Sequence, residues 1–246
     1  MRFVFALLVL ATAVEARDFQ FEYSQISGIA SVDNRLVIEG DRATWYHEPG
    51  VPLIENDTIG EFRTIITAAE QDRLASLMPA KSTPGLRPDM RATSVRLRID
   101  GRQTEVALAP GDPAGTGLVA EARKIVGRAQ SHPYRALRIG LATDPLRVSI
   151  ENPGSERITL PLDEQTLFIE WTEPRSSEWR RVEVNPWPKA VVVKPGHRED
   201  LVVGARLTPI RPQLVRAVYS RRSSSGPEDV SGTASSKYVQ LKAGQR

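Results

Sequence analysis

Residues 94–108 read SVRLRIDGRQTEVAL. Val95, Leu97 and Ile99 fall on alternate positions with Arg96 and Arg98 between them; after Asp100-Gly101 the same face is resumed by Thr104, Val106 and Leu108. A period of two sends successive side chains to opposite faces of a strand. Asp-Gly supplies the two positive-φ residues of a type I′ turn, whose twist matches the strands it joins. A hairpin closed there sets Arg96 opposite Glu105 and Arg98 opposite Gln103, so the cationic strand is partly neutralised by its neighbour. The stretch calls for an antiparallel sheet with one buried and one polar face.

Working back toward the N-terminus, Phe19, Phe21 and Tyr23 alternate with Gln20, Glu22 and Ser24, which predicts a half-buried strand broken at Gly28. Further strands are predicted over 35–39, over 43–47 beyond a Gly40-Asp41 turn, and over 59–66. Thr67-Ala68-Ala69-Glu70 fits a capping box, Leu74, Leu77 and Met78 form one helical face, and Pro79 ends the helix. Pro79, Pro84, Gly85 and Pro88 mark 79–90 as loop. Past the hairpin, Leu118, Ala122, Ile125 and Ala129 define a second amphipathic helix. The order β-β-β-β-α-β-β-α predicts an α+β domain over 17–130, an antiparallel sheet with two helices on one face.

Ser131-His132-Pro133 reads as a linker, spanning 131–135, after which the helical period vanishes. Leu146/Val148/Ile150 and Ile158/Leu160/Leu162 alternate across Asn152-Pro153-Gly154. Further strands are predicted over 167–171, 179–184, 190–193, 201–207, 214–219 and 237–241. Many short strands between turn signals predict an all-β sandwich of immunoglobulin-like type over 136–246, packed around residues such as Trp171 and Leu160. Residues 221–236 are rich in Ser and Gly and read as a hairpin loop, or as a partner-binding loop.

The ends and the composition bound where the protein works. Arg2, the apolar run from Phe3 to Leu10, and small residues Val14 and Ala16 before Arg17 predict a secretory leader over 1–16. That run is shorter than the ~20 residues a membrane span needs. The expected location is therefore periplasmic or secreted, and not membrane-spanning. The 246 residues contain no Cys, which excludes thiol catalysis, disulfides and thiolate metal sites and leaves packing alone to hold the fold. Lys+Arg of 33 against Asp+Glu of 30 gives a net charge of only +3, so nucleic acid is not an expected partner.

Two resemblances follow from these patterns. YSQISGIASVDNRLVIEGDRATW, ITAAEQDRLASLM and SVRLRIDGRQTEVAL with the closing helix, over about 19–130, resemble the emfourin-like family. That likeness implies a small bacterial α+β module whose named member inhibits a thermolysin-type metalloprotease. LRVSIENPGSERITLPL, VVVKPGHREDL and LVRAVYS, over about 136–241, resemble bacterial immunoglobulin-like modules, including the group named for an intracellular proteinase inhibitor of bacilli. No inhibitory residue carries over position by position. This chain also departs from those inhibitors in carrying a leader and in joining two domain types.

Residues able to do chemistry are few. The histidines are His47, His132 and His197. His197 and Glu199 share a side of an extended chain, but two ligands make no closed zinc site, and there is no HExxH; no metal and no cofactor are expected. Trp45 and His47 face away from Tyr46 and Glu48, which reads as a core Trp45 and an edge Tyr46. Gly115-Thr116-Gly117-Leu118-Val119-Ala120 matches a nucleotide-binding GxGxxA, but follows an antiparallel hairpin and lacks the downstream acid, so a glycine-rich helix entry is simpler. No GxSxG or SxxK marks a serine nucleophile. The carboxylate pairs Glu55/Asp57 and Glu228/Asp229 fall in loops and read as solvated. Asn56-Asp57-Thr58 is a sequon that matters only in a eukaryotic secretory pathway. In Asn185-Pro186-Trp187-Pro188 the prolines hold the chain extended, making Trp187 the candidate ligand-binding residue, against a reading in which it folds back onto the sandwich.

The expectation is a non-catalytic exported module that binds another envelope or secreted protein, with protease inhibition its sharpest form. The alternative is an envelope-polysaccharide binder using Trp187 and Trp45.

Overall fold

Asp100 and Gly101 take φ of 48° and 79°, the two positive values the hairpin turn requires. Across it β5 (Ala92–Ile99) pairs with β6 (Arg102–Leu108), Arg96 against Glu105 and Arg98 against Gln103. The computed structural model describes residues 18–26, 32–49, 57–86, 92–143, 145–182, 184, 187–203, 211–221 and 230–241. The expected leader, Glu55-Asn56, Asn185-Pro186 and Glu228/Asp229 lie outside these residues. The described residues are mostly antiparallel β with two α-helices. Among the described residues no helix is long and apolar enough to cross a membrane.

β1 (Phe19–Ile26), β2 (Val32–Glu39), β3 (Arg42–Pro49) and β4 (Thr58–Ile65) extend the hairpin into a sheet. Then come β7 (Pro133–Thr143), β8 (Leu146–Glu151), β9 (Ile158–Pro161), β10 (Leu167–Thr172), β11 (Arg180–Arg181) and β12 (Ala190–Val193), followed by β13 (Arg198–Val202), β14 (Gln213–Arg221), β15 (Gly232–Ser235) and β16 (Val239–Leu241). One nine-stranded sheet runs β13-β8-β7-β4-β3-β2-β1-β5-β6. A second runs β11-β10-β14-β15 with β16 also on β14, and β12 pairs with β9 alone.

Two cores lie on opposite faces of the large sheet. Phe21, Leu36, Trp45, Phe62 and Leu97 join Leu74, Leu118 and Ile125 of the helices α1 (Ala68–Ser76) and α2 (Thr116–Gln130) in the first. Ile59, one residue out of phase with Phe62 on β4, belongs to the second, as do Leu137 and Ile139 of β7, whose Ala136 faces the first. Strand alternation thus lets β4 and β7 serve both cores. The second core is completed by Val148 and Ile150 of the large sheet and by Leu167, Ile169, Val215, Ala217 and Tyr219 of the smaller one.

The helices form where read, although α1 ends at Ser76, so that Leu77 is its C-cap and Met78 lies beyond it. Thr67 Oγ1 accepts from the Glu70 backbone N–H, and the Glu70 carboxylate accepts from the Thr67 N–H at 2.8 Å, closing the capping box. α2 buries Leu118, Ala122, Ile125 and Ala129, and also Glu121, which takes Arg73 of α1 at 2.9 Å and Lys124 at 3.1 Å. Asn152 has no exposure; its Nδ2 donates to the carbonyls of Glu156 and Val193, and its Oδ1 accepts from the Gly154 N–H, which fixes the turn after β8.

The differences from the sequence reading concern the joins. Residues 133–135, read as linker, open β7, a strand absent from that reading, and β7 pairs directly with β4. Leu137, Ile139 and Leu141 do alternate with Arg138, Gly140 and Ala142, but the preceding proline hides the pattern. A bulge between Glu61 and Phe62 starts the pairing; at Gly60 (φ 120°) a Cβ would collide with the Arg135 carbonyl. The loop expected over 221–236 contains β15, whose residues are all buried. Gly232 (φ 109°) lies so close to β3 that a Cβ would stand 2.8 Å from the Glu48 Cα. The strand expected over 179–184 shortens to β11, and that over 201–207 is described as β13, three residues earlier at its start.

Candidate binding surface

The histidines stand apart, and each is engaged. His47 Nδ1 lies 2.7 Å from Oδ1 of Asn34, its cross-strand neighbour, and Nε2 lies 2.6 Å from Asp57 Oδ2. The His47 and Asp57 side chains are only 16% and 21% exposed. Asp57, read as a solvated loop acid, also accepts from the Thr58 N–H at 2.8 Å. With both ring nitrogens engaged the imidazole acts as a clip between β2, β3 and the start of β4. Glu48 faces the other side of the sheet, where the Ser231 hydroxyl donates to it. His132 lies against the Arg128 carbonyl at the end of α2, and His197 against the Pro195 carbonyl in an exposed turn. Among the described residues no three His, Asp or Glu stand close enough to hold a metal ion.

The glycine-rich run is spent on packing. A Cβ on Gly115 would strike the Leu108 side chain, and one on Gly117 would sit 3.0 Å from Leu77. Trp45 is 5% exposed within the first core. Tyr46 is not at an edge: it stands on an internal strand between Arg35, whose Cζ is 4.7 Å from the ring centre, and Glu61. Burial, then the Glu61 carboxylate, pushes its phenol above the ordinary 10.0, with Arg35 and Arg63 opposing. Trp187 packs half-buried against the second core, its Nε1 buried without an acceptor among the described residues.

Two sheet faces look outward. On the large sheet, opposite the helices, Arg96 bonds Glu22 and Glu105, Arg98 bonds Asp18, and Glu61 takes Arg135 and Arg63. A shallow depression of about 240 Å³ opens there among Gln20, Glu22, Val37, Glu39, Arg96 and Arg98.

The outer face of the smaller sheet is built differently. Alternation along β10 and β14 sends Phe168, Glu170, Arg216 and Val218 away from the core, and the register sets Glu170 opposite Arg216. Their ion pair is 12% and 10% exposed respectively, because Trp179 lies over the Arg216 guanidinium at 3.9 Å and Tyr238 approaches it at 5.7 Å. The two rings stand 5.4 Å apart, tilted by 30°. Alongside, Arg181 lies 3.9 Å over Phe168. Tyr238 remains 40% exposed. The result is an aromatic shelf seated on a neutralised cation, rigid enough to offer apolar area at little entropic cost.

No family model matches this chain, and no curated protein does. Sequence reasoning passed over Trp179 and Tyr238 because they come from segments joined only by the pairing of β10, β14 and β16. The signal that was present is local: Glu170 and Arg216 each interrupt an otherwise apolar strand, the mark of a side chain turned away from the core.

Proposed function

We propose that the chain is an exported, non-catalytic protein-recognition protein of the bacterial envelope, with a leader over 1–16, an α+β domain over 17–130 and an immunoglobulin-like β-sandwich over 136–246. The observation that carries this reading is the shelf of Trp179 and Tyr238 over Arg216. Trp, Tyr and Arg are the residue types that dominate binding energy at protein interfaces. Protease inhibition is the sharpest form, supported by the two family resemblances. The test is affinity capture from periplasmic extract on residues 17–246 and on the W179A/Y238A variant. A partner held by the first and lost by the second is the expected outcome; nothing above background, or equal capture by both, rejects the reading. Undiminished turnover by a thermolysin-type protease at saturating protein rejects the inhibitory form alone.

The polysaccharide reading passes from Trp187 to the same shelf, since a pair of adjoining rings tilted by 30° also suits the apolar face of a sugar. Retention on cell-wall glycans that W179A abolishes and W187A leaves intact would favour it.

A further inference from the structure

The shelf has a charged rim, and the rim says what kind of segment fits. Arg216 is already matched by Glu170, so it offers a covered, neutralised base. The residues that deliver the two rings, 173–181 and 236–238, carry four exposed cations, Arg175, Arg180, Arg181 and Lys237, against two exposed carboxylates, Glu173 and Glu178. Of these, Arg180 pairs opposite Trp171, a residue packed on the second core, and its Cζ lies 5.5 Å from that ring, so Arg180 and Glu178, 3.9 Å from it, stand apart from the rim, which is left to Arg175, Arg181 and Lys237. Arg175 adds a backbone observation. It sits at φ 76° in a turn closed by the Ser176 N–H donating to the Glu173 carbonyl, directly after Pro174. That is the third position of a type II turn, normally glycine. A cation occupies it despite the strain.

Resting on the protein-recognition reading above, we propose that the shelf docks an acidic segment of the partner, with an aromatic or aliphatic side chain laid on Trp179 and Tyr238 and flanking carboxylates met by Arg175, Arg181 and Lys237. The apolar anchor supplies the bulk of the affinity and the rim supplies orientation and on-rate. Dependence on both is the mark of the site. Apolar contact alone would be indifferent to salt, and charge alone would be indifferent to the rings.

The probes are random copolymers, poly(Glu,Tyr), poly(Lys,Tyr) and plain poly-Glu, titrated into residues 17–246 and followed by fluorescence anisotropy. Poly(Glu,Tyr) is expected to bind best. W179A and Y238A should each weaken it about tenfold, and R181Q/K237Q should weaken it comparably while flattening its salt dependence, whereas R180Q, on the other face, should leave it unchanged. R175G removes a cation while relieving the backbone, so it should weaken binding without lowering the midpoint of urea unfolding; a fall in that midpoint would make Arg175 structural. Equal or tighter binding of poly(Lys,Tyr), abolished by W179A, overturns the acidic partner but leaves the protein-recognition reading standing. No binding of poly(Glu,Tyr), or binding that ignores the shelf variants, overturns the inference, while the capture experiment judges the broader reading separately.

Discussion

The two outward sheet faces use the same residue, arginine, to opposite ends. On the large sheet Arg96 and Arg98 are matched to carboxylates in water and Arg135 to the largely covered Glu61, and the outer face is a charge-balanced mosaic. On the smaller sheet Arg216 is buried beneath Trp179, and Arg181 lies over Phe168, so the guanidinia support rings. A mosaic of exposed pairs gains little from any one of them and presents no anchor. A ring layer held from beneath presents apolar area ready to be covered. This contrast is why the proposed recognition surface is placed on the smaller sheet.

The contrast can be broken most directly at Glu170. Glu170→Ala leaves Arg216 buried without its counter-charge and should cost about 3–5 kcal/mol in urea unfolding. Glu22→Ala on the large sheet should leave the unfolding midpoint where it was, and equal losses from the two would erase the distinction drawn here. Ile59→Ala, on the strand where the two cores meet, should cost about 3 kcal/mol and keep a single transition; separate transitions by two probes would mean that the halves unfold independently.

Away from both faces, Thr67→Ala should cost about 1 kcal/mol. Glu70 sharpens the same point through pH. A hydrogen bond from Arg128, aided by the Thr67 N–H and hydroxyl, holds its carboxyl below the ordinary 4.5, with burial opposing. Its contribution is complete above that ordinary value and is lost as pH falls through the lowered folded-state value. Stability profiles of the wild type and E70Q should therefore differ above pH 4.5 and converge in acid; parallel curves would refute the assignment. Trp179→Ala should shift stability by only about 1 kcal/mol while removing captured partner.

What could be read from the chain alone was what is local. The hairpin at Asp100-Gly101, the capping box at Thr67 and the face of α2 depend on neighbours within a few positions, and their periods are intact. β7 was missed because Pro133 and Arg135 precede its alternation, and β15 because its Gly, Thr, Ala and Ser carry no apolar alternation, although close approach to β3 is what demands small residues there. The His47 clip and the aromatic shelf depend on register between distant strands, and register is settled by packing that no single segment contains. Trp187 drew attention by its flanking prolines, whereas Trp179, which covers Arg216, stands among ordinary polar neighbours.

The pairing of β4 with β7 bears on how this molecule tolerates being cut. A fragment ending at residue 130 would leave one side of β4 with bare amides and carbonyls and would set Ile59 in water beside them. An unpaired, partly apolar strand edge is a template for recruiting further copies. Such a piece should precipitate or form assemblies, whereas proteolytic nicks within the surface turns, such as that at Pro195-Gly196, would leave the seam closed.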